Sequence, residues 1–339
     1  MEAGVSVVIC TYNGAALLPE TIWHLAQQRV RPEIAWEVIV VDNASTDDTA
    51  AVAVAEWEKH RGPVPFSLLH QPLQGLSYAR ELALEQAQYE FVLFCDDDNW
   101  LMPGYISRAY ELMLQHPAIG VLGGNGELLF ETAPPHWAAS LSMYAHGPQA
   151  PASGKVKSNV VYGAGCVMRR AAYEIIVSAG FRTMLTDRKG ASLSSGGDYE
   201  LCYAIALAGF DIWYDDCLKF KHFMPAKRIN WEYSTRFFKE SAQSFEVLIP
   251  YRIRTNLGGR NILAFNLKYV RIILAYVAKL AAALLERQRL APGTEAGKIN
   301  TLKLLALKSK LLSFANYSGM RENFLKILKV EKQYLRHNL

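Results

Sequence analysis

The sequence predicts an α/β domain with a mostly parallel sheet flanked by helices, followed by a helical, basic C-terminal region. Three observations carry this reading. Short β-branched runs alternate with helix-spaced stretches through the first 130 residues. Polar and acidic residues follow directly on the ends of those runs. Charge also divides sharply: residues 1–218 hold 13 Lys/Arg against 25 Asp/Glu, and residues 219–339 hold 23 against 7.

The elements come in order. Val5–Cys10 is a short buried strand, and Leu17–Arg29 has helical spacing. Trp36–Val41 is a second strand ending at Asp42, followed by a capped helix over Thr46–Lys59. Phe66–His70 is a third strand, Leu76–Gln88 a helix, and Phe91–Cys95 a fourth strand that runs into Asp96-Asp97-Asp98. Residues 131–160 carry Pro134-Pro135, Gly147-Pro148 and Pro151 without periodicity and read as a long loop, the kind that often binds ligands. A strand over Tyr162–Met168, a helix over Asp198–Ala208 and a short strand at Ile212–Tyr214 complete a domain over residues 1–225.

Residues 226–339 are basic, aromatic and helical. In Asn261–Glu286 the residues Lys268, Arg271, Lys279 and Glu286 share one narrow helical stripe, with Ala275 and Ala282 between them. Three cations argue against a membrane span. Two readings stay open: a core helix with one wet edge, or a helix lying in a membrane interface. Trp231, Tyr233, Phe237 and Phe238 sit at helical spacing and read as core.

The bulk numbers exclude several classes. A chain of 339 residues, 51% hydrophobic and 20% charged, buries a large core without disulfides. Cys10, Cys95, Cys166, Cys202 and Cys217 show no CxxC pair or zinc spacing and read as reduced thiols. The N-terminus lacks the basic and apolar regions of a signal peptide. The expectation is a cytoplasmic protein, peripheral on the inner face of the membrane if the basic tail docks there.

Ligands of parallel α/β sheets bind beyond the carboxyl ends of the strands. Here those ends carry Thr11-Tyr12-Asn13-Gly14, Asp42-Asn43-Ala44-Ser45 and Asp96-Asp97-Asp98-Asn99. Asp96 and Asp98 point the same way in an extended segment, which suits a hard divalent ion, Mg²⁺ or Mn²⁺, completed by phosphate oxygens. A solvated acidic turn is the competing account.

The segments Val7–Asn13, Val38–Thr49, Gly75–Leu84 and Phe91–Asn99, in this order, resemble family 2 of the glycosyltransferases, which has the GT-A fold. Gly163-Ala164-Gly165 ahead of Arg169-Arg170, and Ser195–Leu201, extend the resemblance across residues 4–225. It implies a nucleoside-diphosphate sugar donor, UDP favoured, and a glycan or lipid-linked acceptor of the bacterial surface-polysaccharide type. Thr11, Tyr12 and Asp42 match residues that hold base and ribose, with Asn13 and Asp97 beside them, and Arg80 matches one that approaches base and phosphates. Asp96 and Asp98 match the Asp-x-Asp pair, with Asp98 the direct metal ligand. Asp198 matches the catalytic base that inverts the anomeric centre, and Glu200 is the alternative. Gly197 stands where the family usually has Glu. His222 either completes the metal site or is structural, and Lys219, Lys221, Lys227 and Arg228 either hold phosphates or form an exposed turn. Trp137 either offers a platform for an acceptor sugar or packs its loop.

Other classes fit less well. A dinucleotide oxidoreductase needs a Gly-x-Gly-x-x-Gly turn after the first strand, and Thr11–Ala16 has one glycine. A nucleotidyltransferase needs a basic, Gly-rich loop near the N-terminus. A non-catalytic sugar-nucleotide-binding or membrane-docking protein on the same scaffold remains as the alternative. The acidic body disfavours nucleic acid, so an anionic membrane surface is the better partner for the basic tail.

Overall fold

The computed structural model describes residues 2–337 apart from Ser140, Ser142, Ala191 and Pro292. The N-terminal half runs β1 (Glu2–Thr11), α1 (Leu18–Ala26), β2 (Ala35–Asp42), α2 (Thr49–Lys59), β3 (Phe66–His70), α3 (Leu76–Gln86) and β4 (Tyr89–Phe94). These four strands pair in parallel in the order β3-β2-β1-β4. β1 is buried on both sides, which is why it reads as an unbroken apolar run. Val5, Val7 and Ile9 pack against α1, including Leu18, Ile22 and Leu25, while Val8 joins Ile39, Val41 and Ala79 on the opposite face.

The sheet continues beyond β4 with mixed polarity. β5 (Asn99–Leu101), α4 (Tyr105–Gln115), β6 (Ile119–Phe130), α5 (His136–Ala139), β7 (Gly154–Lys155), β8 (Val167–Arg169), α6 (Arg170–Ser178), α7 (Gly197–Leu207) and β9 (Asp211–Met224) follow. The whole order is β3-β2-β1-β4-β8-β6-β9-β5, with β7 on β9. β8 runs antiparallel to both neighbours, and β9 runs parallel to β6 and antiparallel to β5. The α/β fold with a mostly parallel sheet is as expected from sequence.

Several expectations change. The strand expected at 162–168 shrinks to Val167–Arg169, because Gly163–Gly165 turns so that the Tyr105 hydroxyl donates to the Gly165 carbonyl at 2.6 Å. The short strand expected at 212–214 is the start of a 14-residue strand reaching Met224. The helix expected from Thr46 begins at Thr49, since Thr46 and Asp47 bond to Asn13 and Ala15 in the turn after β1. The loop of residues 131–160 contains α5 and β7.

The C-terminal region forms α8 (Trp231–Glu240), α9 (Phe245–Thr255), α10 (Ile262–Arg287), α11 (Glu295–Ser313) and α12 (Tyr317–His337). Asn230, Asn261 and Thr294 cap α8, α10 and α11 with side-chain acceptors. α9 packs between α7 and α12, and α10 packs on α11. Phe265, Tyr269, Phe314 and Phe324 centre their shared core.

α10 departs from the reading as a core helix with one wet edge. It buries Phe265, Tyr269, Ile272 and Ala283, yet Leu263, Leu267, Val270, Leu274, Val277 and Leu285 lie 47–69% exposed. Their spacing of three, four and eight residues puts them on one face. A helix that is apolar nearly all round does not reveal in sequence which face the fold covers.

Candidate active site

The β1–β2 register sets Thr11 against Asp42, and β1–β4 sets Val8 against Phe94, so all three acidic or polar strand ends reach one rim. A cavity of about 600 Å³ opens there. That volume suits a small-molecule ligand. Its walls come from this rim, the loop of residues 182–196, and helices α8, α9 and α11.

Asp98 is the most enclosed acid of the rim, at 3% exposure. Its Oδ1 accepts from Asn99 Nδ2 at 3.0 Å and lies 3.5 Å from His222 Nε2, while its Oδ2 accepts from Arg228. Burial opposes its charge, but Arg228 and then His222 outweigh that and hold the carboxyl well below the usual range. His222 reaches Asp98 because it faces Asn99 across the β5–β9 ladder, and its Nδ1 donates to the Ala145 carbonyl at 3.0 Å. Burial would lower its pKa; Asp98 reverses this and raises it.

Asp97 turns the other way. It accepts from the Thr11 hydroxyl at 2.7 Å, and its carbonyl accepts from Thr21 at 2.7 Å. Gly14 permits this: a Cβ there would meet Thr11 Oγ1 at 2.0 Å and Asp97 Oδ2 at 2.6 Å. Burial and then Asp98 push the Asp97 carboxyl up to about 7. Asp96 is raised for the same two reasons. The nearby cations Arg80, Arg188, His222 and Arg228 leave Asp96 and Asp97 short of full charge compensation.

That deficit, with hard oxygen donors and one imidazole at the cavity wall, fits a divalent ion. Among the described residues no three His, Cys, Asp or Glu side chains form a metal-holding group by themselves. Asp96, Asp98 and His222 would supply part of a coordination shell, with Arg228 moving off Asp98.

Asp198 lies across the cavity in the first turn of α7. Its Oδ2 accepts from Gly163 N at 2.7 Å and its Oδ1 from Tyr199 N at 2.9 Å. Gly163 is required: a Cβ would come 2.9 Å from Arg80 Nη2 and 3.1 Å from the Asp198 Cβ. Burial and then the Asp187 charge raise the Asp198 carboxyl to about 6, against the pull of Arg80. Glu200, the other base candidate, is fully enclosed. It accepts from Met184 N at 2.9 Å and Leu185 N at 3.0 Å, so it holds the loop and lies off the cavity lining.

The remaining predicted residues divide. Tyr12, 38% exposed, lines the cavity, as do Thr11 and Arg80. Arg80 lies 3.3 Å from Asp187 and over the Phe94 ring. Asp42 is off the lining; it accepts from Ser45 N at 3.0 Å and lies 3.4 Å from His70. Asn13 is also off the lining, and its side chain accepts from Thr46 N at 2.8 Å. Lys219, Lys221 and Lys227 do not line the cavity either, unlike Arg228.

Trp137 is no open platform: it is 4% exposed, edge-on to Trp231 at 5.2 Å, with its backbone N–H donating to Glu295 at 2.6 Å. Tyr233, Phe237 and Phe238, expected in the core, instead line the cavity, and Trp231 is 38% exposed.

Sequence reasoning missed Asp187. It adopts a left-handed φ of 56° and places its carboxylate against Gly197, where a Cβ would come 2.9 Å from Asp187 Oδ2. A side chain at 197 would displace it. The glycine at that position was the available signal.

An acidic rim on a GT-A sheet facing a second, elevated carboxylate across one cavity defines a glycosyltransferase-like α/β protein. The chain belongs to glycosyl transferase family 2, whose model matches residues 6–176. It is 34% identical over 138 residues to the poly(ribitol-phosphate) β-N-acetylglucosaminyltransferase TarS of Staphylococcus aureus, covering 38% of this chain and 24% of that one. It is 29% identical to the succinoglycan biosynthesis protein ExoM of Rhizobium meliloti, covering 51% of this chain and 53% of that one. The chain thus spans about half the length of ExoM and a quarter of TarS. The fold is shared with the mannosyltransferase PcManGT of Pyrobaculum calidifontis in complex with GDP-Man and Mn²⁺. That match has a TM-score of 0.57 at 18% identity and covers 92% of this chain and 88% of the other. TarS 1–349 in complex with UDP-GlcNAc matches at TM-score 0.53 and 18% identity, covering 98% and 92%.

Proposed function

We propose that the chain is an inverting, metal-dependent glycosyltransferase. It moves a sugar from a nucleoside-diphosphate donor to a hydroxyl of a glycan or lipid-linked acceptor in surface-polysaccharide synthesis. The observation that carries this is the placement of Asp198. A carboxylate raised to about 6, oriented by two backbone N–H groups, faces the acidic rim across a single cavity. As the acceptor oxygen bonds to the anomeric carbon, its proton passes to Asp198 and the bond to the diphosphate breaks on the opposite face. Mn²⁺ or Mg²⁺ held by Asp98 and Asp96, with His222, would offset charge on the diphosphate. Tyr12 stacks on the base beside Thr11, UDP being the favoured nucleotide, and Arg80 lies toward the phosphates. Asp42 and Asn13 shape the base pocket from behind. Residues 1–225 carry catalysis, and residues 226–339 close the acceptor side.

A thermal-shift series against UDP, GDP, dTDP and CMP, each with and without Mn²⁺, tests this. One nucleotide is expected to raise the melting temperature in a metal-dependent way. No shift with any of them, in folded protein, points instead to a non-catalytic scaffold.

The exposed apolar face of α10 supports a second reading, contact with an anionic membrane surface. No helix among the described residues is long and apolar enough to cross a membrane. Arg260, Arg271, Arg287 and Arg289 lie on or beside the helix, and Glu286 is already paired with Lys303 at 2.9 Å. Self-pairing of two such helices would oppose like charges, whereas anionic lipid complements them. Leu267→Gln with Leu274→Gln is expected to abolish co-sedimentation with phosphatidylglycerol vesicles. Unchanged co-sedimentation would remove this reading.

A further inference from the structure

The cavity has two walls of opposite character. All the carboxylates lining it, Asp96, Asp97, Asp98, Asp187 and Asp198, belong to the sheet rim, the loop of residues 182–196 and α7. The wall supplied by the C-terminal helices contains no acid, and Lys310 of α11 lines it. Its Nζ sits 5.1 Å from the Phe245 ring centroid, and among the described residues it has no ion pair.

A second lysine stands near it, solvent-exposed and off the cavity lining. Lys279 of α10 lies 5.5 Å from the Tyr276 ring centroid, also without an ion pair among the described residues. The two rings touch edge to face at 5.9 Å. Two ammonium groups are thus propped on one aromatic pair, neither with a carboxylate partner among the described residues. Burial and then Lys279 lower the Lys310 pKa. An anion beside Lys310 in the cavity offsets both.

This pair adjoins the helix that carries the base. A Cβ on Gly196, the residue before α7, would come 3.0 Å from Leu248 and 3.4 Å from Ser244, the neighbour of Phe245. A molecule offering a hydroxyl to Asp198 therefore occupies the same cavity that Lys310 lines. Lysine suits phosphate as a point charge, and two lysines match a group with more than one negative charge better than a single carboxylate.

We propose that Lys310, backed by Lys279, forms an anion subsite that binds a phosphoryl group of the acceptor. The assignment rests on reading Asp198 as the base of a glycosyl transfer. The phosphate belongs to either a lipid-linked carrier or a polyol-phosphate chain.

Titration calorimetry on the full chain without metal tests it. The probes are n-decyl phosphate, glycerol 3-phosphate and the uncharged n-decyl glucoside. Lys310→Met is expected to weaken phosphate binding about tenfold or more, while Lys310→Arg retains most of it. Lys279→Met gives a smaller loss in the same direction. Binding of decyl phosphate alone identifies a lipid-linked phosphate, and binding of glycerol 3-phosphate as well identifies a polyol phosphate. The proposal is overturned by equal affinities for wild type and a Lys310→Met protein that melts normally. No binding of either phosphate to wild type at millimolar concentration, or equal binding of the glucoside, also overturns it. UDP-induced thermal shifts with Mn²⁺, unchanged in Lys310→Met, report the transferase reading separately, so either can fail alone.

Discussion

Asp198→Asn is expected to lower transfer by about 10²–10⁴-fold while leaving the metal-dependent UDP shift intact. The carboxylate now accepts one N–H on each oxygen, from Gly163 and Tyr199. An amide offers only one acceptor oxygen, so one part-buried or exposed N–H loses its partner at a cost of about 1 kcal/mol or less in stability. That loss is small beside the loss of the base, and a denaturation curve separates the two. The pH profile adds a second check. A base raised to about 6 is protonated below that value, so transfer is expected to fall as pH drops through about 6 and to level off above it. Asp187→Asn removes the neighbouring like charge and frees Arg80 from its partner. The acidic limb should then move to lower pH. A limb that stays in place in Asp187→Asn, or transfer that survives Asp198→Asn, would assign the base elsewhere.

Asp98→Asn is expected to abolish the metal-dependent part of nucleotide stabilisation and to leave the metal-independent part. At a ligand concentration a hundredfold above its dissociation constant, the part at stake is about 2.7 kcal/mol. The substitution keeps shape and a hydrogen bond to Asn99, but removes the charge that Arg228 and His222 face. Breaking a buried pair from one side costs about 3–5 kcal/mol in a fully enclosed setting. Arg228 retains 20% side-chain exposure, so water screens part of that cost. A melting temperature below wild type is therefore expected even without ligand. Nucleotide shifts that still respond to Mn²⁺ in Asp98→Asn would remove Asp98 from the metal site.

The acidic rim was legible because it is local. β1 to β4 are short apolar runs whose ends are fixed by adjacent polar residues, and parallel pairing brings those ends level without further information. β9 was not legible beyond its first residues. Its polar stretch Asp215-Asp216-Cys217 interrupts the apolar pattern where the β6 register shifts. The pairing of Arg228 with Asp98 spans 130 residues, and no local pattern announces it. Asp187 lies in a segment without periodicity, and its effect on Asp198 depends on the empty side-chain space at Gly197. Tyr233, Phe237 and Phe238 show the limit of periodicity itself: an aromatic stripe at helical spacing packs a core or walls a cavity with the same sequence.

The loop of residues 182–196 is tethered at Met184, Leu185, Arg188 and Leu193. Glu200 holds Met184 and Leu185, the Arg188 carbonyl accepts from Leu76 N at 3.1 Å, and Glu240 of α8 accepts from Leu193 N at 2.5 Å. Anchored to three different helices, it behaves as masonry rather than as a door. Under the proposed transfer, donor and product would pass the exposed ring of Tyr12, and turnover would not wait for this stretch of chain to lift.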